Sequence, residues 1–378
     1  MFWKKLKLMK LFGFTVSIDL SWLIVAALVA WSLATGLFPS TVRGLSAAGY
    51  WAMGALGVVA LLFSIVVHEL AHAVAARRLG MSIKGITLFV FGGIAEMERR
   101  PPNARTEGLM AALGPLASFF VAGASHVAAL GLGASDAPDP VVALLEFTAV
   151  INALLGAFNL IPAFPLDGGR VLRAVIWGRT GKLLRATRIA SWIGTALAVT
   201  LVVIGVTSLV AGMTMTGIWW SLIGLFIYSA ARRSYRETAV ELTLEKQRVS
   251  RFARSAVVTV RRGLPVDRFV EDYLLQEQHR HFPVVDLGGS VLGYIGLDQV
   301  KQIPKEAWDT TTAGELAARC DETVCISSDA SAAEALASMR RASTDRLMVV
   351  DDDELVGIVK AKDLLGFATL RLDLDRAA

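Results

Sequence analysis

Charge is scarce in this chain of 378 residues: only 19% are Asp, Glu, Lys or Arg, while 54% are hydrophobic. Soluble domains carry about 25% charged residues. The apolar residues come in long blocks within roughly the first 236 positions, and the rest alternates apolar and charged residues as soluble domains do. A wholly soluble protein is thereby excluded, and a bundle of spanning helices plus one soluble unit is expected. Cysteine is nearly absent. Cys320 and Cys325 both fall in the soluble part. A disulfide framework is therefore not expected, and a reduced compartment fits. A zinc site on these two thiols would need two more ligands, and none lies nearby in the sequence. The net charge of +5 is no nucleic-acid signal, because the basic residues flank apolar segments; no nucleic-acid partner is expected.

Six apolar segments stand out, at 18–38, 52–76, 106–132, 141–161, 189–211 and 216–231. Most reach the ~20 residues that a spanning helix needs. The distribution of Lys and Arg orients them. Lys4, Lys5, Lys7 and Lys10 precede the first segment, and Arg77 and Arg78 close the second. Arg170, Arg173, Arg179, Lys182, Arg185 and Arg188 lie between the fourth and fifth, and Arg232, Arg233 and Arg236 follow the sixth. The opposite loops are nearly free of basic residues. A multi-pass protein of the cell membrane, with both termini cytosolic, is expected. A cleaved signal peptide at residues 1–38 is disfavoured, since the apolar run is too long and lacks a clear small-residue cleavage site.

The second segment contains His68-Glu69-Leu-Ala-His72. Histidines at i and i+4 share one helix face and can share one metal ion, and the intervening Glu can serve as a general base toward an attacking water. Ionisable groups inside a span are costly without partners, so the cluster points to function. A catalytic zinc takes three protein ligands and keeps one open position. The third ligand must come from elsewhere. Glu146 lies at the outer end of its segment, too far along the bilayer normal. Asp19, at the cytosolic start of the first segment, stays open. Asp167 is better placed, in Asn159-Leu-Ile-Pro162-Ala-Phe-Pro165-Leu-Asp167-Gly168-Gly169. Two prolines and two glycines break the helix there, and broken backbone at membrane depth is tolerated where it lines a buried or watery cavity.

His68-Glu69-x-x-His72, followed about 95 residues later by Asn159-x-x-Pro162-x-x-Pro165-Leu-Asp167-Gly168-Gly169, resembles the site-2 protease family of intramembrane metalloproteases. The resemblance covers most of residues 1–236. It implies one zinc ion per chain held by His68, His72 and Asp167, with Glu69 as catalytic base. It implies a catalytic role for Asn159 at the scissile carbonyl or the tetrahedral oxyanion. Asn152, on the same helix, reads as a packing hydrogen bonder. By the same resemblance the substrates are single-span membrane proteins: tethered transcription regulators, anti-sigma factors or remnant signal peptides.

Residues 85–98, from Gly85 through Gly92-Gly93 to Glu98, are rich in β-branched and aromatic side chains and read as a hairpin. The family has such a membrane-dipping hairpin. A helical substrate hides its carbonyls in its own hydrogen bonds, so a strand edge at Gly92 and Gly93 can hold it unwound by strand addition. Gly114-Pro115 and the small residues of the third to fifth segments suit close helix packing. His126 reads as a packed or hydrogen-bonded histidine.

The soluble part repeats at an offset of about 65 residues. Phe282-Pro-Val-Val-Asp286 and Val291–Val300 parallel Leu347-Met-Val-Val-Asp351 and Leu355–Leu364. This resembles a tandem pair of cystathionine-β-synthase (CBS) domains, at 249–309 and 310–372, after a polar, helix-forming linker at 237–248. Such pairs often bind adenine nucleotides. The ligand motif departs from the usual Ser/Thr and Asp pattern: the first copy has Gly296 and Gln299, while the second has Lys360 and keeps Asp363. Lys360 can meet a phosphate instead. The plain alternative is a dimerisation or docking module that pairs two copies of the chain. His279 and His281 read as surface or packing residues. The expected architecture is thus a polytopic α-helical membrane domain at 1–236, with about six transmembrane helices and a membrane-associated β-hairpin, plus a cytosolic α/β CBS pair. Its partners are the lipid bilayer and membrane-anchored substrates. A CBS-regulated transporter using His68, Glu69 and His72 as transport ligands is the alternative from another class, and an inactive family member acting as a scaffold is a third.

Overall fold

The structure is a computed structural model. It describes all residues except 1–4, 90–91, 98–99, 136–137, 255–257, 277–280, 322, 353 and 378. Lys4, Glu98 and His279 lie outside the described residues. The chain divides into two compact units, Met1–Tyr235 and Arg236–Ala378.

In the first unit the long helices are α1 (Ser21–Thr41), α2 (Ala47–Arg78), α3 (Ala104–Gly133) and α4 (Asp139–Asn159). After them come α5 (Asp167–Thr180), α6 (Leu183–Val210) and α7 (Thr214–Glu245). Among the described residues, five helices, α1 to α4 and α6, are long and apolar enough to cross a membrane. The sixth apolar segment, 216–231, forms the first half of α7, which runs on through Arg232, Arg233 and Arg236 into polar sequence. Two of the helix starts are capped by side chains. Ser46 Oγ accepts from Gly49 N at 3.2 Å before α2, and Asn103 Oδ1 accepts from Thr106 N at 2.8 Å before α3, each satisfying an otherwise orphaned first-turn donor.

A four-stranded sheet belongs to this unit. Its strands are β1 (Lys5–Leu11), β2 (Phe14–Asp19), β3 (Ile83–Phe89) and β4 (Gly92–Met97), in the order β1-β2-β3-β4. The hairpin expected near 85–98 is the antiparallel β3–β4 pair, with Leu88 opposite Gly93. Strands β1 and β2 were not expected, since the sequence reads as apolar into a span starting at 18. Phe14 and Ile18 instead join Ile86 and Leu88 in one buried cluster with Trp22 and Ala73. The parallel β2–β3 pairing, from Thr15 opposite Gly85 to Ile18 opposite Leu88, commits these residues to the sheet and delays α1 to Ser21.

Between α4 and α5 the chain breaks and folds back closely. A Cβ on Gly168, Gly169 or Gly194 would come under 3.0 Å from the backbone of Leu160, Ala163 or Phe164 respectively. Only glycine at these three positions lets the 160–166 segment lie against the start of α5 and the middle of α6.

The second unit contains two three-stranded sheets. One is built from β5 (Val260–Arg261), β6 (His281–Val285) and β7 (Val291–Gly296), and the other from β8 (Cys325–Ser327), β9 (Arg346–Asp351) and β10 (Glu354–Lys360). In each, a parallel pair is followed by an antiparallel hairpin, which is the repeat read from the sequence. Helix α8 (Ala332–Ala342) opens on a capping box of Ser331 and Glu334. Helix α9 (Ala361–Ala377) follows β10.

One expectation is corrected in this unit, that of cysteines without a disulfide. The helix-forming segment at 237–248 is largely helical, and Val240 and Leu244 are buried in the core of the second repeat with Leu336, Val349, Val359 and Leu364. Spaced four apart, they form an apolar stripe that gains from burial. Cys320 and Cys325 are joined in a disulfide, Cα to Cα 5.5 Å. The turn between them makes this local: Asp321 Oδ1 accepts from Thr323 N at 2.9 Å, and its carbonyl accepts from Cys325 N at 2.8 Å.

Candidate metal centre

His68 and His72 lie one turn apart on α2, and Asp167 is the first residue of α5. The two histidines are 3% and 4% exposed, and Asp167 is 8%. The packing brings three atoms together. His68 Nε2 and His72 Nε2 are 3.2 Å apart, and Asp167 Oδ2 is 3.1 Å from the first and 3.0 Å from the second.

Helix α3 sets both rings. His72 Nδ1 donates to the Met110 carbonyl at 2.8 Å. A carbonyl only accepts, so the proton of the neutral ring sits on Nδ1 and Nε2 presents a lone pair. His68 Nδ1 is 2.9 Å from Ser118 Oγ, which can accept in the same sense. Two imidazole lone pairs and a carboxylate oxygen then face one another in a buried space. Such a trio of acceptors repels itself unless a cation lies among them. Zinc fits the spacing: bonds of about 2.0–2.1 Å to N and O put tetrahedral donors about 3.3 Å apart. Gly114 leaves the room, because a Cβ there would come under 3.0 Å from Nε2 of both His68 and His72.

Glu69 stands beside His68 on α2. Its side chain lies against β4: a Cβ on Gly93 would come under 3.0 Å from Glu69 Cγ, Cδ and Oε1. The backbone of β4 therefore runs directly past the carboxyl group. Gly92 pairs with Phe89 at the tip of the same hairpin.

Other candidates fall elsewhere. Asp19 Oδ1 accepts from Ser21 N at 2.9 Å at the start of α1, and Glu146 meets His126 Nδ1 at 3.0 and 3.2 Å. Among the described residues, His68, His72 and Asp167 are the group of three or more His, Cys, Asp or Glu able to share an ion; Asp19 and Glu146 are not in it. Asn152 donates to Ser64 Oγ at 2.7 Å and to the Thr148 carbonyl at 2.8 Å, tying α4 to α2. Asn159 Nδ2 donates to the Leu155 carbonyl at 3.0 Å, back along its own helix. In the second unit Asp363 Oδ1 accepts from Arg254 Nη2 at 3.0 Å, and Lys360 ends β10. Met110, Gly114 and Ser118 were not read as site residues. Gly114-Pro115 was the available signal, and it pointed only to close packing.

The sequence profile of peptidase family M50 matches residues 56–134 and 127–202, and that of the CBS domain matches 249–304 and 314–369. The Mycobacterium tuberculosis protein Rip3 is 36% identical over 305 residues, covering 81% of this chain and 77% of that protein. The chain belongs to peptidase family M50. Zinc metalloprotease MJ0392 of Methanocaldococcus jannaschii is 31% identical to this M50 peptidase over 329 residues, 87% of this chain and 89% of the relative. A solved site-2 protease from Methanocaldococcus jannaschii is 30% identical and covers 61% of this chain and 95% of its own, with a TM-score of 0.44. The M50 peptidase is thus a site-2-protease-like zinc metalloendopeptidase of the intramembrane type, joined to a CBS pair. The transporter reading falls with that membership.

Proposed function

We propose that His68, His72 and Asp167 hold one zinc ion per chain, and that Glu69 is the general base for hydrolysis of a peptide bond within a substrate's membrane segment. The observation that carries this reading is the convergence of three buried acceptor atoms at 3.0–3.2 Å. Zinc, when bound, supplies Lewis acidity toward the scissile carbonyl oxygen and makes water a nucleophile near neutral pH. The remaining chemistry belongs to the chain. A Glu69 carboxylate oxygen takes the proton of the attacking water and returns it to the nitrogen of the leaving amine. The edge strand β4, with Gly92 and Gly93, receives an unwound substrate segment by strand addition and so aligns its peptide bond beside Glu69. Asn159 assists at the carbonyl oxygen once it turns from the Leu155 carbonyl.

The substrates are single-span, membrane-anchored proteins of the regulator, anti-sigma-factor or remnant-signal-peptide kind. The chain lies in the cell membrane with α7 as a sixth span and both termini cytosolic, a reading supported by the Lys and Arg flanking the apolar segments. The CBS pair modulates cleavage. It takes an adenine nucleotide, with Asp363 on the ribose hydroxyls and Lys360 on a phosphate, and it pairs two chains. The test is Glu69→Gln in the full-length protein. It retains zinc and loses cleavage of a reconstituted single-span substrate by about 10²–10⁴-fold; undiminished cleavage overturns the mechanism.

A further inference from the structure

Glu107 is 0% exposed, in the first turn of α3, and the hydrolysis just described makes no use of it. Its Oε1 accepts from Arg173 Nε at 2.8 Å and from Arg173 Nη2 as well. A buried ion pair of this kind is poorly explained by stability, because an apolar pair of similar volume commonly stabilises as much or more. What such a pair supplies is a fixed geometry, here the planar guanidinium held by one oxygen at two points.

The two residues sit where that geometry matters. Arg173 is on α5, less than two turns beyond Asp167. Its guanidinium also lies over the Phe164 ring, 4.7 Å from the centroid. Phe164 belongs to the break that delivers Asp167, and its backbone N donates to the Ala190 carbonyl at 3.2 Å. Arg173 therefore ties the helix that Asp167 opens both to the segment before it and to α3. On α3, Glu107, Met110, Gly114 and Ser118 follow helical spacing and share a face. Met110 sets the ring of His72, Ser118 meets the ring of His68, and Gly114 leaves space for both.

We propose that Glu107 and Arg173 are a positioning pair that locks the Asp167 carboxylate in register with the two imidazoles, so that α3 is the common reference for all three donors. The proposal rests on the reading of His68, His72 and Asp167 as zinc ligands. Neither residue touches the reacting atoms. Losing the pair leaves three intact donors that no longer converge.

The experiment is a zinc titration of the full-length protein in detergent against a competing chelator, with thermal unfolding of the metal-free protein measured alongside. The variants are Glu107→Gln, Arg173→Met, the two combined, and His68→Ala as reference. Each single change is expected to weaken zinc binding by about 10–100-fold, the range for groups that orient metal ligands. The combination is expected to be no worse than the weaker single variant, since the two act through one contact. Arg173→Lys keeps the charge without the two-point grip, and guards against a variant that fails to fold. It is expected to bind cobalt with an altered visible spectrum. Zinc affinity and cobalt spectrum unchanged in these variants, while His68→Ala loses zinc, overturn the positioning role alone. Zinc binding that survives His68→Ala overturns the ligand reading and this inference with it.

Discussion

The two units each carry a cluster of polar side chains with a ligand-binding reading, and the clusters are built in opposite ways. In the membrane unit, His68, His72 and Asp167 are nearly sealed from solvent, and the outward-facing nitrogens of both rings are already matched to Met110 and Ser118. What remains free points inward, as acceptors that repel one another. In the second unit Asp363 Oδ1 accepts from Arg254, whose side chain is 66% exposed, while Asp363 Oδ2 is buried with no hydrogen-bond partner among the described residues. The first cluster is incomplete without a cation. The second already has a cation of its own beside the carboxylate, and a ligand that takes Asp363 Oδ1 must displace Arg254. Burial makes the difference: removing water turns unpaired acceptors into a strong demand for positive charge, whereas a half-exposed ion pair is worth little and is easily exchanged.

That contrast can be broken most forcefully at Gly114. Gly114→Ala puts a methyl group where the two Nε2 atoms face each other, and zinc affinity is expected to fall about 100-fold, the upper range for disrupted ligand orientation. Chelator competition measures it, and unchanged affinity would mean that the donors can reorganise freely. Ser118→Ala is milder. It removes one oriented contact of His68 while leaving the ring buried, so a loss of about 10-fold in zinc affinity is expected, with unfolding of the metal-free protein little altered. The smallest effect belongs to the exposed cluster. Arg254→Ala frees Asp363, and if the arginine competes with a nucleotide, ATP affinity in equilibrium dialysis rises by at most about fivefold, the worth of an exposed ion pair. A large fall instead would make Arg254 part of the nucleotide site.

The metal-binding motif was legible because its signal is local. His68 and His72 are four apart on one helix, and the prolines and glycines around Asp167 announce a break. The choice of Asp167 over Asp19 was open on depth alone; packing places Asp19 at the start of α1 and Asp167 among the histidines. Strand β2 was hidden although Phe14, Val16 and Ile18 alternate, because its residues run straight into the apolar first span; it pairs with β1 beside it in the chain and with β3 some 70 residues away. The disulfide between Cys320 and Cys325 was missed because two cysteines cannot announce a framework, whereas a tight turn at Asp321 suffices to join them.

The amino-acid order by itself determined which segments are apolar, where the helix carries two imidazoles on one face, and that the soluble part is a duplicated α/β unit. These follow from periodicity and composition, which neighbouring residues express without help. Only the folded arrangement decided which carboxylate joins the histidines, that a missing side chain at Gly114 makes room for them, and that Glu107 meets Arg173 inside the protein. Those facts join residues tens of positions apart, and their distances are set by helix packing, on which no local pattern bears.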